Sequence, residues 1–591
     1  MSCRRTAWLG LLAMACAAIF GTPCALHAET PADAAAAQWA EYQAEIPKTI
    51  VELQPFRRSS SIEIGSASGA SVTVTLVDLN PKINAWFLLT LRRSPESDTR
   101  SYHIENAQPQ AQHLLLSGDY RYGIRISGPN GSVNCPLWVD GQPTPLEQAR
   151  KSSVPDAPLC DGRLYLRNTV PGTYTNIERI TNILRDHVWG GEQIVGFVRE
   201  TVFKDAFIER GAIGTASEPR SVRSEAGPNP AALAESPALS VKPEHLAIGV
   251  LANGEYLQLG EWYPVRDVPG IFVSVVQPSA VSPAILGSYR NLVNSLDAVE
   301  SEALDYLVAI DLSQYDLGFE LGTDHPRVGW SERALESVRN PRLPGPDGIG
   351  SPAPLVVNGI VTPGLVSRTV VAFAGGFKRE HGAFHYGPLA TQNAGSHYGF
   401  IEQGVIFSKL QPGLATLFVT NEGALRMKTW NHGDDGLLDE LKLARQNGVP
   451  LIEFDAATGR SMPGAWVNQW GPGNWSGSAD ERLRTLRAGV CLQETGAKRY
   501  LIYGYFSTAT PSAMARVFQA YDCRYAMHLD MNALEHTYFA VYTERNGQIV
   551  VQHLIEGMSA VDRKGGDQLA PRFLSFPDDR DFFYLTRRGP P

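Results

Sequence analysis

The sequence lacks an excess of positive charge. Its 591 residues carry 52 Lys and Arg against 61 Asp and Glu, a net charge of -9. A protein that grips phosphate backbones by general electrostatics has the opposite balance, so no nucleic-acid partner is expected. Long apolar runs are scarce too: after residue 28 no segment is long and apolar enough to cross a bilayer as a helix. Several signatures of common chemistry are missing. There is no Gly-x-Ser-x-Gly elbow, no Walker loop, no dinucleotide fingerprint and no His-Glu-x-x-His. No Cys/His cluster has zinc spacing, and no internal repeat is visible. Disorder is excluded as well, because 43% of residues are hydrophobic and only 19% charged.

The amino terminus has the three-part layout of a secretory signal. Arg4 and Arg5 form a positive head, Trp8 to Phe20 an apolar stretch without charge, and small residues lead to a cut after Ala28. The arginine pair hints at a twin-arginine route. Thr22-Pro23 before Cys24 is a poor lipobox, which argues against a lipid anchor. The expected product is periplasmic or secreted, without a membrane span. Of the seven cysteines, Cys3, Cys16 and Cys24 would leave with the signal, and Cys135, Cys160, Cys491 and Cys523 remain. An even count in an oxidising compartment points to disulfides. Three connectivities exist; Cys135–Cys160 with Cys491–Cys523 is the local choice.

The body reads as follows. Residues 29–59 are a polar helical lead-in. Residues 60–141 carry short strand patterns, among them 71–77, 85–91, 113–117, 120–126 and 136–139, separated by Gly, Pro and Asn turns; this spacing suggests a small β-sandwich-like module. Residues 142–213 look mixed, with helical spacing at 176–188. Residues 214–244, rich in Ala, Ser, Pro and Glu, read as a flexible linker. In 245–591, strand patterns such as 246–251, 271–276, 306–312, 369–373, 405–408, 415–420, 451–454, 500–505 and 525–530 alternate with helix patterns at 435–447 and 511–521. The expected class is α+β: a mixed α/β carboxy-terminal domain preceded by the all-β module.

Four segments hold residue types that carry chemistry. Thr369 to Lys378 runs a β-branched strand into Gly375-Gly376-Phe377, with Lys378 and His381 beyond; bare backbone there can approach an anion. In Tyr525 to His536, alternation puts His528, Asp530 and Asn532 on one strand face, with Glu535 and His536 at its mouth. Such a cluster suits acid/base work or a metal. Glu453 and Asp455 follow the 435–447 pattern, ahead of a loop with Trp466, Trp470 and Trp475 that suits sugar stacking or core anchoring. Arg482, Arg484 and Arg487 can clamp a phosphate or carboxylate, or form a solvated face.

Taken in order, these segments resemble the phosphodiester glycosidase family. Ala374-Gly375-Gly376-Phe377 is similar to its Asn-Gly-Gly-Phe, Arg445 to Leu451 to its Gln-Asn-x-x-Pro-Leu, Arg484 to Val490 to its Arg-Thr-Ala-x-Gly, and Leu529-Asp530 to the start of its Leu-Asp-Gly-Gly-Gly-Ser. Tyr306 to Leu312 resembles its opening strand. The likeness spans roughly residues 300–560. Two departures stand out: Ala374 replaces the Asn, and Met531-Asn532-Ala533 replaces the triple glycine. The resemblance implies hydrolysis of a sugar-1-phosphodiester in envelope or extracellular polysaccharide. Asp530, with Glu535 in reserve, would be the carboxylate, and His528 and His536 the acid/base groups or ligands. Gly375, Gly376, Phe377, Lys378, His381, Arg484, Asn532 and Trp470 would bind the glycan or sugar-phosphate substrate. The resemblance makes no cofactor certain, and a divalent metal ion is an open option. Two other readings stand beside this one: a non-catalytic glycan-binding or envelope-assembly protein, favoured by Met531-Asn532-Ala533, and a metal-dependent hydrolase of another envelope bond.

Overall fold

The computed structural model describes residues 58–65, 71–78, 81, 84–93, 98–116, 123–139, 142–168, 207–214, 227–234, 239–322, 359–377, 399–408, 410–469, 482–565 and 568–589. The signal, the lead-in through residue 57 and the helical spacing at 176–188 lie outside them, as do Lys378, His381, Trp470 and Trp475.

Strands dominate what is described, and the α+β expectation is corrected. The protein is built mostly of antiparallel sheet, with a few short helices among the described residues. The clearest misreading is 435–447. Leu437, Leu438, Leu441 and Ala444 have helical spacing, but a short apolar run fits either period. Here His432–Glu440 is a 3-10 helix, opened by a capping box between Asn431 and Asp434. Leu441–Gln446 is a strand paired with both Phe400–Glu402 and Ala415–Thr420. Asn447-Gly448 follows as a bend, with Gly448 at φ 55°. Residues 246–251 form isolated bridges at Leu246 and Val250 rather than a strand.

At the amino-terminal end, a six-stranded sheet runs in the order Arg58–Gly65, Ser71–Asp78, Trp86–Arg93, Asp98–Asn106, Leu164–Arg167, Asp156–Leu159. A three-stranded sheet (His113–Leu115, Gly123–Gly128, Gly131–Pro136) shares its core, which includes Val74, Leu89, Ile124 and Trp138. Cys135 and Cys160 are disulfide-bonded across this core, with Cα atoms 5.5 Å apart. Within 214–244, Asn229 N–H donates to Gln493 Oε1 at 2.8 Å, Ala232 N–H to Ala520 O at 2.7 Å, and Ser240–Lys242 is a strand. These described parts are held against the carboxy-terminal sheets.

The carboxy-terminal body has two main layers. One is an eight-stranded antiparallel sheet with Asp305–Asp311, Lys498–Ala509, Thr485–Thr495 and Cys523–Met531 at its centre. The other has five strands, with Thr369–Ala374 between Phe582–Arg587 and Phe539–Arg545. Alternation decides the faces. Tyr306, Val308 and Ile310 point into the core between the layers, while Leu307 and Ala309 meet the helix Pro511–Ala520 on the far side. That helix is the one expected at 511–521. Thr510 caps it by accepting from Ala513 N–H at 3.2 Å, and Pro511 sits in the first turn, where its missing N–H costs nothing. The Cys491–Cys523 disulfide, Cα atoms 5.8 Å apart, lies on the helix side. Between the layers Phe373 packs against Tyr503 at 5.2 Å and Phe583 at 5.2 Å. Thr369–Ala374 is buried along its whole length, which explains its unbroken apolar sequence. Among the described residues no helix is long and apolar enough to cross a membrane.

Candidate functional site

The strand Thr369–Ala374 ends in the inter-layer core and delivers Gly375 and Gly376 beside the end of Cys523–Met531. The two segments, far apart in sequence, meet there. Gly376 has φ +94°, and a Cβ on it would overlap the Cβ and carboxylate of Asp530. The glycine is therefore what lets the Asp530 carboxylate lie against this turn. Gly375 serves the next carboxylate in the same way: a Cβ there would stand 2.6 Å from Asp581 Oδ1.

The glycine amides are not aimed outward. Gly375 N–H and Gly376 N–H both donate to Asp581 O, at 2.9 and 3.1 Å, and Phe377 N–H donates to Asp581 Oδ1 at 2.7 Å. The expectation that this backbone cradles an anion is corrected, because Asp581 consumes the donors. Arg445 completes the lock. Its Nε donates to Asp581 Oδ2 at 3.0 Å, its Nη2 to Gly375 O at 2.6 Å, and its guanidinium lies 4.1 Å from the Phe377 ring centroid. Arg445 and Asp581 side chains are both fully buried. Removing one member of such a pair typically costs about 3–5 kcal/mol, since the other charge stays buried.

Asp530 is reached by three polar partners. Met531 N–H donates to its Oδ1 at 2.8 Å. His536 Nδ1 stands 3.6 Å and Arg580 Nη1 3.8 Å from its Oδ2. His536 Nδ1 also lies 2.8 Å from Met531 O; a carbonyl only accepts, so this nitrogen carries the proton. Arg580 Nη1 donates to Gly376 O at 2.5 Å, tying the guanidinium to the glycine turn. Burial pushes the Asp530 carboxyl above its ordinary range, and His536, Arg580, Met531 N–H and Arg445 only partly offset it. The result is a nearly enclosed carboxyl with raised basicity, a half-buried imidazole and a guanidinium.

A bulge sets the direction of Asp530. Arg487 pairs with Met531, but Gly489 pairs with His528, so the carboxy-terminal strand holds one extra residue. Simple alternation therefore fails, and the expected shared face of His528 and Asp530 is not found. Asp530 meets Gly376, whereas His528 is fully buried with Nε2 3.3 Å from Arg487 Nη1. Burial first, then Arg487 and Arg445, lowers the His528 pKa well below its ordinary value. His528 is thus a neutral interior group. Asn532 sits at φ 79° and accepts from Thr485 Oγ1 at 3.0 Å through its side-chain oxygen. Glu535 offers its carbonyl to Arg572 Nη1 at 2.7 Å. Arg484 is ion-paired with Asp297 at 2.5 Å rather than with the Asp530 cluster.

Sequence reasoning missed Arg580 and Asp581. They stand in Asp578-Asp-Arg-Asp581 before an aromatic strand, a run of charges that reads as a solvated turn. The one available signal was four charged residues directly preceding Phe582-Phe-Tyr-Leu585. Arg445 stood inside a quoted motif without a role. Among the described residues no group of three or more His, Cys, Asp or Glu is placed to hold a metal ion.

No protein-family model matches the chain, and no curated protein matches it. Among solved structures, the chain is similar to the catalytic domain of zebrafish N-acetylglucosamine-1-phosphodiester alpha-N-acetylglucosaminidase, auto-inhibited by its pro-peptide, at 11% identity over 55% of this chain and 85% of that one, with a TM-score of 0.27. It is also similar to a Burkholderia pseudomallei protein described as exported, at 10% identity over 48% of this chain and 74% of that one, with a TM-score of 0.16. Both likenesses are distant, and neither assigns a family.

Proposed function

We propose that the protein is an exported hydrolase of sugar-1-phosphodiesters, acting at the cluster of Asp530, His536 and Arg580. One observation carries the reading: a carboxylate from one layer, seated against a glycine turn from the other, with a histidine and an arginine within 4 Å of the same carboxylate oxygen. A phosphate monoester leaves without much help from a proton donor, so the reaction asks for a carboxylate at the anomeric carbon and a cation near the phosphate. Asp530 supplies the first, activating water or stabilising the oxocarbenium ion. Arg580 supplies the second, and His536 holds a proton on Nδ1 beside the carboxylate. Lys378 and His381, which follow the glycine turn in sequence, and Trp470 are substrate-binding candidates in this reading. Asp530→Asn in the purified protein should reduce release of reducing sugar from a sugar-1-phosphodiester about a thousandfold or more while the thermal melt is retained. Unchanged turnover rejects the assignment.

A second reading, a glycan-binding or envelope-assembly protein without catalysis, is favoured by the glycine amides being spent on Asp581. It predicts saturable glycan binding by wild type and no product.

A further inference from the structure

At the other end of the Cys523–Met531 strand from Asp530 lies a separate cavity of about 660 Å³. Tyr525 lines it, and five residues at roughly 3.3 Å each put it about 17 Å along the strand from Asp530. Its walls come from Leu425–Thr429, Ile452–Asp455 and the adjoining ends of the two longest strands. The cavity collects positive charge in a chain of net charge -9: Arg426, Lys428, Arg499 and Arg524 line it against only Glu453 and Glu494.

The pairing leaves this charge incompletely compensated. Glu494 is shared, 2.9 Å from Arg524 and 3.6 Å from Arg499, so one carboxylate serves two guanidiniums. Lys428 is matched by Asp434 at 2.7 Å. Arg426 is exposed and has no ion pair among the described residues. Arg524 stands over Phe454, its guanidinium carbon 3.8 Å from the ring centroid, which helps hold it in place. The inner wall is of a different kind. Thr429 Oγ1 donates to Glu453 and lies 3.0 Å from Tyr525 Oη, giving a chain of hydroxyls ending in a carboxylate.

We infer that this cavity is a second binding site, for an acidic oligosaccharide. Arginines with surplus charge and a guanidinium held over a ring recognise carboxylate, sulfate or phosphate groups. The Tyr525–Thr429–Glu453 chain suits sugar hydroxyls, with Glu453 accepting from them. The overall negative charge opposes a nucleic acid or an anionic membrane. The site uses no residue of the Asp530 cluster and stands whether or not that cluster is catalytic.

The test is calorimetric titration of the whole mature protein with an oligogalacturonate, and with a neutral galacto-oligosaccharide of equal length. Wild type should bind the acidic oligomer, with affinity falling as salt is raised, and bind the neutral one at least about tenfold more weakly. Arg426→Glu, at an exposed and unpaired position, should weaken acidic-oligomer binding about tenfold or more, as should Arg524→Gln. Asp530→Asn should bind as wild type does. Equal binding of the neutral oligomer, unchanged binding by a folded Arg426→Glu, loss of binding in Asp530→Asn, or tighter binding of single-stranded DNA or phosphatidylglycerol vesicles than of the oligogalacturonate each overturns the proposal. A phosphorylated dextran oligomer, run alongside, separates recognition of phosphate from recognition of carboxylate within the same chemistry.

Discussion

Gly376 shows how much one missing side chain decides. It is held at φ +94° and its α-carbon faces the Asp530 carboxylate, so Gly376→Ala meets both a left-handed backbone penalty and a clash. Backbone strain of this kind costs about 1–3 kcal/mol, and displacing a buried carboxylate adds to it. We expect Gly376→Ala to lower the urea midpoint by an amount equivalent to at least about 1 kcal/mol and to move Asp530 out of reach of Arg580. A variant as stable as wild type would show that the turn relaxes freely. Asp530 itself was visible in the sequence as a carboxylate closing an apolar strand. Its surroundings were not. Asp581 acts on Phe377 across 204 residues, and no local pattern announces a contact at that distance. His528 was misassigned because a bulge, which alternation cannot foresee, separates it from Asp530.

Among the elements, Ser71–Asp78 was readable from its period-two alternation, and Ile271–Val276 from its short β-branched apolar run, buried along its whole length. The helix Pro511–Ala520 was readable from its apolar spacing. Leu441–Gln446 was not, because its apolar spacing fits either period and its strand partners supply the deciding hydrogen bonds. The Cys491–Cys523 link ties the Thr485–Thr495 strand to the start of Cys523–Met531, closing a segment that contains this helix. A cross-link of this loop length contributes about 2–4 kcal/mol by restricting the unfolded chain. The double variant Cys491→Ser/Cys523→Ala should therefore melt several degrees lower, measured by circular dichroism, with the sheet signature kept at low temperature. Equal melting of variant and wild type would place the stabilisation elsewhere.

For the whole molecule, the junction of three sheets carries a buried acidic group. Arg167 donates through Nη1 to Asp156 Oδ1 at 2.6 Å and through Nε to Glu105, within the amino-terminal sheet. Glu320 and Glu402, from two carboxy-terminal sheets, stand beside each other nearby, and Leu321 N–H donates to Glu402 Oε2 at 3.0 Å. Burial, then Glu402 beside it, holds Glu320 well above the carboxylate range; burial likewise raises Glu105 and Asp156 against the pull of Arg167. A carboxyl whose folded pKa is raised contributes its stability below the unfolded value and loses it as pH climbs through the folded one. The melting temperature should fall as pH rises above the ordinary carboxylate range, and Glu320→Gln, which keeps a neutral hydrogen-bonding group, should flatten that fall. A slope identical in variant and wild type would exclude this group as its source.

The sequence alone determined the period-two strands and offered the local cysteine pairing that the two disulfides bear out, because each is written in neighbouring residues. Tertiary structure alone decided that the protein is sheet-built rather than mixed, that Asp530 faces Gly376, and that Arg445, Arg580 and Asp581 surround them. Those outcomes depend on which strands find each other and where a ladder takes in an extra residue, and such choices are made by packing between segments that a linear reading cannot bring together.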